Sequence, residues 1–229
     1  MGPYAKEELL ACVIARLLAG SRHAAIGASS PIPATGAFLH RHADRSFRVS
    51  LQQRREANPF TEGSRELFDL AGQGRIDTFF LGGAQIDGEG ALNLVRAEGK
   101  RFPGSFGSAY MYAVIPNTIL FREEHSRRTL VAKVEFASAR GTPKALLTGK
   151  ALFSWQKERR RFRLESVHPG ASAEEIRENT GFDYDAPPRP PLTPEPGAED
   201  LTLLRGPVAG EIAKNYPEFA RKIWCSTSS

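Results

Sequence analysis

Ile76-Asp-Thr-Phe-Phe-Leu81 is a short apolar run that predicts a buried strand, and it passes directly into Gly82-Gly-Ala84. Glycines at the end of a buried strand let another group approach the backbone closely. In open α/β sheets, ligands bind beyond the carboxyl ends of the strands. A Gly-Gly after a strand is also ordinary turn punctuation, so the whole string through Asp87, Gly90 and Asn93 carries the weight. Residues 5–19 predict a helix: Leu9, Leu10, Val13, Ile14, Leu17 and Leu18 form one apolar stripe, and Gly20 is a natural stop. His23 to Gly27 reads as a short strand of small residues. Ala28-Ser-Ser-Pro-Ile-Pro33 then turns into a second helix over 33–42, with Ser29 and Ser30 as candidate caps. The free N–H groups at the start of that helix are expected to face whatever lies beyond the strand. Ser46 to Gln52 alternates as a strand, and Ser64 to Gly72 is a short helix. The order α-β-α-β-α-β predicts an α/β fold with a mostly parallel sheet and crossover helices in its first half.

The second half reads differently. Strand-like pieces are expected at 94–98, 118–121, 130–136, 145–148, 151–155 and 162–167, with a helix over 108–115. Arg101-Phe-Pro-Gly-Ser-Phe-Gly-Ser108 is a second glycine-rich loop. Ser172-Ala-Glu-Glu175 is a capping box opening a helix closed by Gly181. Ala186 to Gly197 is too dense in proline for regular structure. Terminal helices follow over 199–223, broken at Pro207 and Pro217. The expected organisation is a domain over residues 1–185, then a proline-rich segment and terminal helices over 186–229 that pack on it or on a partner.

Composition excludes several function classes. The 229 residues carry a net charge of +5, with the densest basic cluster at Lys157-Glu-Arg-Arg-Arg-Phe-Arg163, a solvated hairpin turn rather than a nucleic-acid face. No apolar run approaches the length of a membrane span, and Lys6, Glu7 and Glu8 precede the first apolar residues, unlike a secretory signal. Two cysteines, Cys12 and Cys225, stand at opposite ends, so a reducing cytoplasm is the expected location. His23, His40, His42, His125 and His168 show no metal-ligand spacing. Gly27-Ala-Ser-Ser-Pro31 lacks the second glycine of a nucleophile elbow. No Rossmann fingerprint or P-loop is present.

Gly82-Gly-Ala-Gln-Ile-Asp87, with Gly90 and Asn93, resembles the G-A-A-Q-I-D-x-x-G-N-x-N signature of the B-type subunit of family I coenzyme A transferases. Further segments resemble that family in the same order. They are Ala25-Ile-Gly-Ala-Ser-Ser-Pro31, Gly74-Arg-Ile-Asp77, Phe102-Pro-Gly-Ser-Phe-Gly107, Ser126-Arg-Arg-Thr-Leu-Val-Ala-Lys-Val134, and His168-Pro-Gly with Glu175-Ile and Thr180-Gly-Phe182. The resemblance implies an acyl-CoA substrate, with no permanently bound cofactor and coenzyme A entering as part of the substrate. It also implies an A-type partner subunit in a heterodimer or heterotetramer, and an active site between the two. Ser29, Ser30, Gly82, Gly83, Ala84, Gln85, Asp87, Gly104, Phe106 and Gly107 are the residues it marks for substrate or CoA binding.

One departure bears on the chemistry. The transferases of this family place a nucleophilic glutamate at the end of the third strand, where it comes to hold CoA as a thioester. Aligning Ser46 to Leu51 on that strand brings Gln52 to the glutamate's position, with Gln53 next to it. An amide has no anionic oxygen and is a very poor nucleophile. Glu56 is the nearby substitute, if the loop slips. Relatives without the glutamate decarboxylate a CoA ester or open a ring of a steroid-derived one by hydrolysis. Both reactions need a polarised thioester carbonyl, which N–H groups of Gly82, Gly83 and Ala84 are placed to supply. A non-catalytic chain that completes its partner's pocket is the remaining alternative.

Overall fold

The computed structural model describes residues 3–52 and 60–225. In chain order the elements are α1 (Lys6–Leu17), β1 (His23–Ile26), α2 (Pro31–Ala43), β2 (Arg48–Leu51), α3 (Ser64–Gly72) and β3 (Thr78–Leu81). Short strands β4 (Gln85–Ile86), β5 (Leu92–Asn93), β6 (Arg96–Ala97) and β7 (Lys100–Arg101) come next, followed by α4 (Ser108–Val114). Then come β8 (Asn117–Arg122), β9 (Pro143–Thr148), β10 (Ala151–Gln156), β11 (Arg161–Val167) and α5 (Ala173–Asn179). The chain ends in α6 (Ala198–Leu203), α7 (Ala209–Asn215) and α8 (Pro217–Ala220). The expected α/β class with a β-rich second half is what forms. Among the described residues no helix is long and apolar enough to cross a membrane.

The chain divides into two compact units. The first holds residues 1–67, 75–78 and 195–229. Here β1 and β2 pair in parallel, Ile26 opposite Leu51. α1 and α2 cross closely because Gly36 has no side chain: a Cβ there would lie 2.5 Å from Ile14 Cγ2 and 2.8 Å from the Ala11 carbonyl. The buried Asp77 carboxylate accepts the Arg22 and His23 N–H groups and pairs with the Arg22 guanidinium at 3.1 Å. The terminal helices are tied to α1 by Glu8, which is 2 % exposed and takes hydrogen bonds from Arg205 and from the Trp224 indole. Burial raises the affinity of the Glu8 carboxyl for a proton, but Arg205, the Ala5 N–H and Trp224 together outweigh it and hold the pKa low.

The second unit holds residues 68–74 and 79–194, with strand order β11-β10-β9-β8-β3. β8 and β9 are parallel, and β9, β10 and β11 form an antiparallel meander. Its core is aromatic: Phe162 sits 4.9 Å from Trp155 and 5.5 Å from Phe182, ring centre to ring centre.

Three elements differ from expectation. Residues 130–136 are not a strand: Leu130 makes one isolated bridge, to Ile86, and the rest serves as loop. Leu130 and Val134 are buried there without pairing, while Phe136 is 47 % exposed. The expected strand at 94–98 shrinks to Arg96–Ala97, where a tight turn at Glu98-Gly99 reverses the chain with φ of 50° and 73°. Pro207 does not break the terminal helix. A π-helical turn over Leu204–Val208 accommodates it, because the wider turn drops the hydrogen bond that proline cannot make. The break falls at Tyr216, before Pro217, as expected there.

Candidate functional site

In the first unit, the candidate residues gather at the carboxyl ends of β1 and β2. The Gln52 N–H donates to the Ile26 carbonyl at 3.0 Å, which extends the β1–β2 pairing by one residue. Gln52 is half-buried, Ser30 is half-buried and Ser29 is exposed. Ser30 is the residue that caps α2, yet its hydroxyl makes no capping bond. Prolines explain this. Pro31 and Pro33 remove two N–H groups from the first turn, so little remains to cap, and only Ile32 keeps a backbone N–H before Ala34 bonds to the Ser30 carbonyl. The expected row of free donors at this helix start is therefore absent. Glu56 and Gln53 lie outside the described residues.

Sequence reasoning missed Tyr216 here. Its hydroxyl lies 3.5 Å from the Gly27 carbonyl, so the terminal helices close over the loop that carries Ser29 and Ser30. Burial pushes its phenol up to about 12, so it stays a neutral donor. His23 and Ser50 form a second unforeseen pair: Nε2 lies 2.7 Å from the Ser50 hydroxyl, and Nδ1 lies 3.1 Å from the Arg75 carbonyl. The geometry is that of a base and nucleophile. Ser50 is 3 % exposed, however, so the bond reads as structural.

In the second unit, the stretch from Gly82 to Asn93 is a folded hairpin. Gln85 and Asn93 pair twice: the Gln85 N–H donates to Asn93 Oδ1 at 2.6 Å, and Asn93 Nδ2 donates to Gln85 Oε1 at 2.7 Å. Asp87 is 2 % exposed and accepts three backbone N–H groups, from Glu89, Ala91 and Val134, at 3.0–3.1 Å. The Ala84 N–H donates to the Asn93 carbonyl at 3.0 Å. The side chains that make the signature recognisable thus build the loop rather than face outward. Gly83 packs inside it, where a Cβ would meet Leu92 at 3.0 Å, while Gly82 is exposed.

The second glycine loop lies in this unit too. Gly104 is exposed, with φ of 140°. Gly107 takes φ of 73° and abuts Phe68, where a Cβ would stand 2.4 Å from the ring. Phe106 is 64 % exposed with φ of 45°. The histidines of the later motifs are buried and satisfied. His125 bonds the hydroxyls of Thr148 and Thr180, at 2.8 and 3.1 Å, and His168 bonds the Thr193 hydroxyl and the Thr148 carbonyl, at 2.7 and 3.1 Å. Burial, foremost, takes the His125 imidazole down to about 4, so it is neutral at physiological pH. Among the described residues no cluster of three or more His, Cys, Asp or Glu is arranged to hold a metal ion.

No family model matches the chain. The B-type chain of glutaconate CoA-transferase from Acidaminococcus fermentans is 30% identical over 128 residues, which are 46% of this chain and 47% of that one. The corresponding chain of 3-oxoadipate CoA-transferase from Pseudomonas knackmussii is 29% identical over 153 residues, 58% of each chain. The crystal structure of the decarboxylase AibA/AibB superposes with a TM-score of 0.75 at 27% identity, over 88% of this chain and 93% of that one. The chain is similar to B-type subunits of family I CoA transferases in sequence and in fold. The match spans about half the length of the curated relatives. Within the B-type pattern, the signature's Gln, Asp and Asn hold their own loop. Gln52 occupies the end of a strand whose last residue, Leu51, pairs with Ile26.

Proposed function

We propose that this chain is the B-type subunit of a heteromeric enzyme that acts on an acyl-CoA thioester, and that it carries no glutamyl-CoA intermediate. The observation that carries the reading is Gln52. It follows directly on β2, hydrogen-bonded through its backbone to Ile26, where the resemblance places the transferase glutamate. Transfer by the covalent route needs an ionised carboxylate, and an amide supplies none. In this reading the Gln52 amide hydrogen-bonds the substrate or a water. The backbone of Gly82 and Gly83 serves the thioester oxygen as negative charge develops on it. Ala84 drops out of that donor set because its N–H is spent on Asn93. The catalytic base comes from the A-type subunit, and the pair works as a heterodimer or heterotetramer in the cytoplasm.

The reaction favoured is a lyase step, decarboxylation of a CoA ester. The similarity to the AibA/AibB decarboxylase, at 27% identity over 93% of its chain, supports this reading. The test is to co-express the chain with its A-type partner, supply acyl-CoA, and reduce with borohydride. Reduction turns a glutamyl thioester into an alcohol that mass spectrometry locates. Turnover with carbon dioxide release and no label on this chain is the expected result. Label on Glu56 would show that transfer persists with a displaced nucleophile. A chain that never pairs with an A-type subunit would remove the reading altogether.

A further inference from the structure

The terminal helices belong to the first unit, and polar ties hold them onto its opening helices. Arg16 Nη2 donates to the Glu195 carbonyl at 3.2 Å, where the segment begins. Arg205 and the Trp224 indole both donate to Glu8 on α1. Glu211 on α7 takes the Arg41 guanidinium on one oxygen and faces His42 Nε2 at 3.2 Å with the other, both from the end of α2. A chain terminus frays unless it is tied down in this way.

Tyr216 stands at the break between α7 and α8. Its N–H donates to the Ile212 carbonyl at 2.7 Å, and its carbonyl accepts the Ala220 N–H at 3.0 Å. Pro217 keeps it out of the helical conformation, at φ of −135° and ψ of 65°. Held from both sides, its hydroxyl donates to the Gly27 carbonyl at 3.5 Å, and a backbone hydrogen bond from Ser30 reaches the same oxygen. One hydroxyl thus spans the turn between β1 and α2, donating at one end and accepting at the other. Phenylalanine would fill the same space. A hydroxyl out of water costs free energy unless it is bonded, so this oxygen is set against this turn.

The turn adjoins the candidate site. Ile26, the residue before it, accepts the Gln52 N–H at 3.0 Å, and Ser29 stands exposed within it. The Ser30 side chain makes no capping bond. Among the described residues no backbone hydrogen bond other than those to Tyr216 holds the Gly27 carbonyl or the Ser30 N–H. Misplacing a positioning group by about 1 Å costs on the order of a hundredfold in rate.

We propose that Tyr216 is a positioning residue of the acyl-CoA site: its hydroxyl staples the Gly27–Ser30 turn and so fixes the wall beside Gln52. The terminal helices then serve catalysis as well as covering α1 and α2. The proposal rests on the acyl-CoA reading and adds to it a residue that no motif marks.

Tyr216→Phe deletes the hydroxyl and keeps the ring. Two readouts test it: amide hydrogen exchange in the full chain, and steady-state kinetics of the complex with the A-type subunit. The Ser30 amide is expected to exchange about five- to tenfold faster in the variant, the worth of one hydrogen bond. Amides of α1 are the reference for global opening and stay as they were. In the complex, kcat for acyl-CoA is expected to fall about tenfold with KM within about twofold, because the reacting end is misplaced while the rest of the substrate binds as before. Thr202→Val removes another hydroxyl of the terminal helices, one bonded to Ala198 in its own helix, and is expected to change neither readout. Unchanged exchange at Ser30 removes the staple and overturns the proposal. Faster exchange with kcat unchanged shows a bond that serves stability alone, which overturns the positioning role, and a rise in KM at constant kcat does the same. An unmodified complex that turns over no acyl-CoA refutes the acyl-CoA reading instead, and faster Ser30 exchange in Tyr216→Phe then leaves the staple assigned.

Discussion

Asp87 is the residue on which the signature loop depends. Its two oxygens take three backbone N–H groups, one of them from Val134, far along the chain. The bonds from Ala91 and Val134 are buried, so those two donors have no water to turn to. Asp87→Ala is expected to cost about 3 kcal/mol or more, the penalty for burying unpaired donors. Asp87→Asn keeps one acceptor oxygen and is expected to cost about half as much. Urea denaturation of the two variants checks the order. The family motif was legible in the sequence as Gln85, Asp87 and Asn93, but its purpose was not. Nothing in the spacing says that Gln85 and Asn93 spend their amides on each other, because that pairing depends on how the chain folds back between them.

Among the elements, the α1–α2 crossing shows two opposing effects with a clear winner. Gly36 sits inside α2, where alanine would raise helix propensity by about 1 kcal/mol. The added Cβ would stand 2.5 Å from Ile14 and 2.8 Å from a backbone carbonyl of α1. Overpacking of that kind costs about 1–3 kcal/mol, and the carbonyl cannot move without its helix. Gly36→Ala is therefore expected to lower the midpoint of thermal unfolding, as circular dichroism would show. The helices themselves were readable from their apolar stripes, and the Ser172 cap from its box. The Ser172 hydroxyl accepts from the Glu175 N–H as the pattern requires. The strand expected at 130–136 failed for a physical reason: an apolar run does not by itself specify pairing, and here Leu130 and Val134 are buried by a loop while Phe136 is left exposed.

At the scale of the whole molecule, His125 carries a deeper shift than His23 or His40. Its imidazole is buried, with an ordinary value of 6.5 lowered to about 4, chiefly by loss of water. Lys150 and His168 push the same way, against the Ile176 carbonyl and Glu175. As pH falls, the unfolded chain takes its proton first. Stability is thus full above about 6.5 and falls through the window down to about 4, below which both states are protonated. The loss amounts to about 3 kcal/mol over that window. Denaturant midpoints measured from pH 7.5 to 4 are expected to drop, and His125→Gln is expected to flatten part of that slope. Carboxylates such as Glu8, whose pKa is lowered, keep their stabilisation through most of this range and lose it only at more acid pH.

Local chemistry along the chain was enough to establish the α/β class, the parallel start of the sheet, the glycine loops and the similarity to B-type CoA-transferase chains. These follow from periodicity, turn residues and residue order, which a linear chain displays. The glutamine at position 52 was equally plain. Folding was needed to separate the polar residues consumed inside the protein from those left to bind. Asp87, His125 and Ser50 look chemically able in the sequence and are spent on internal hydrogen bonds. Arg96 and Arg101 look like ordinary surface residues until strand register sets them face to face, and only backbone geometry shows that Phe106, marked by the resemblance, is held with its ring in water. Distances between residues remote in sequence govern such matters, and only the folded chain sets them.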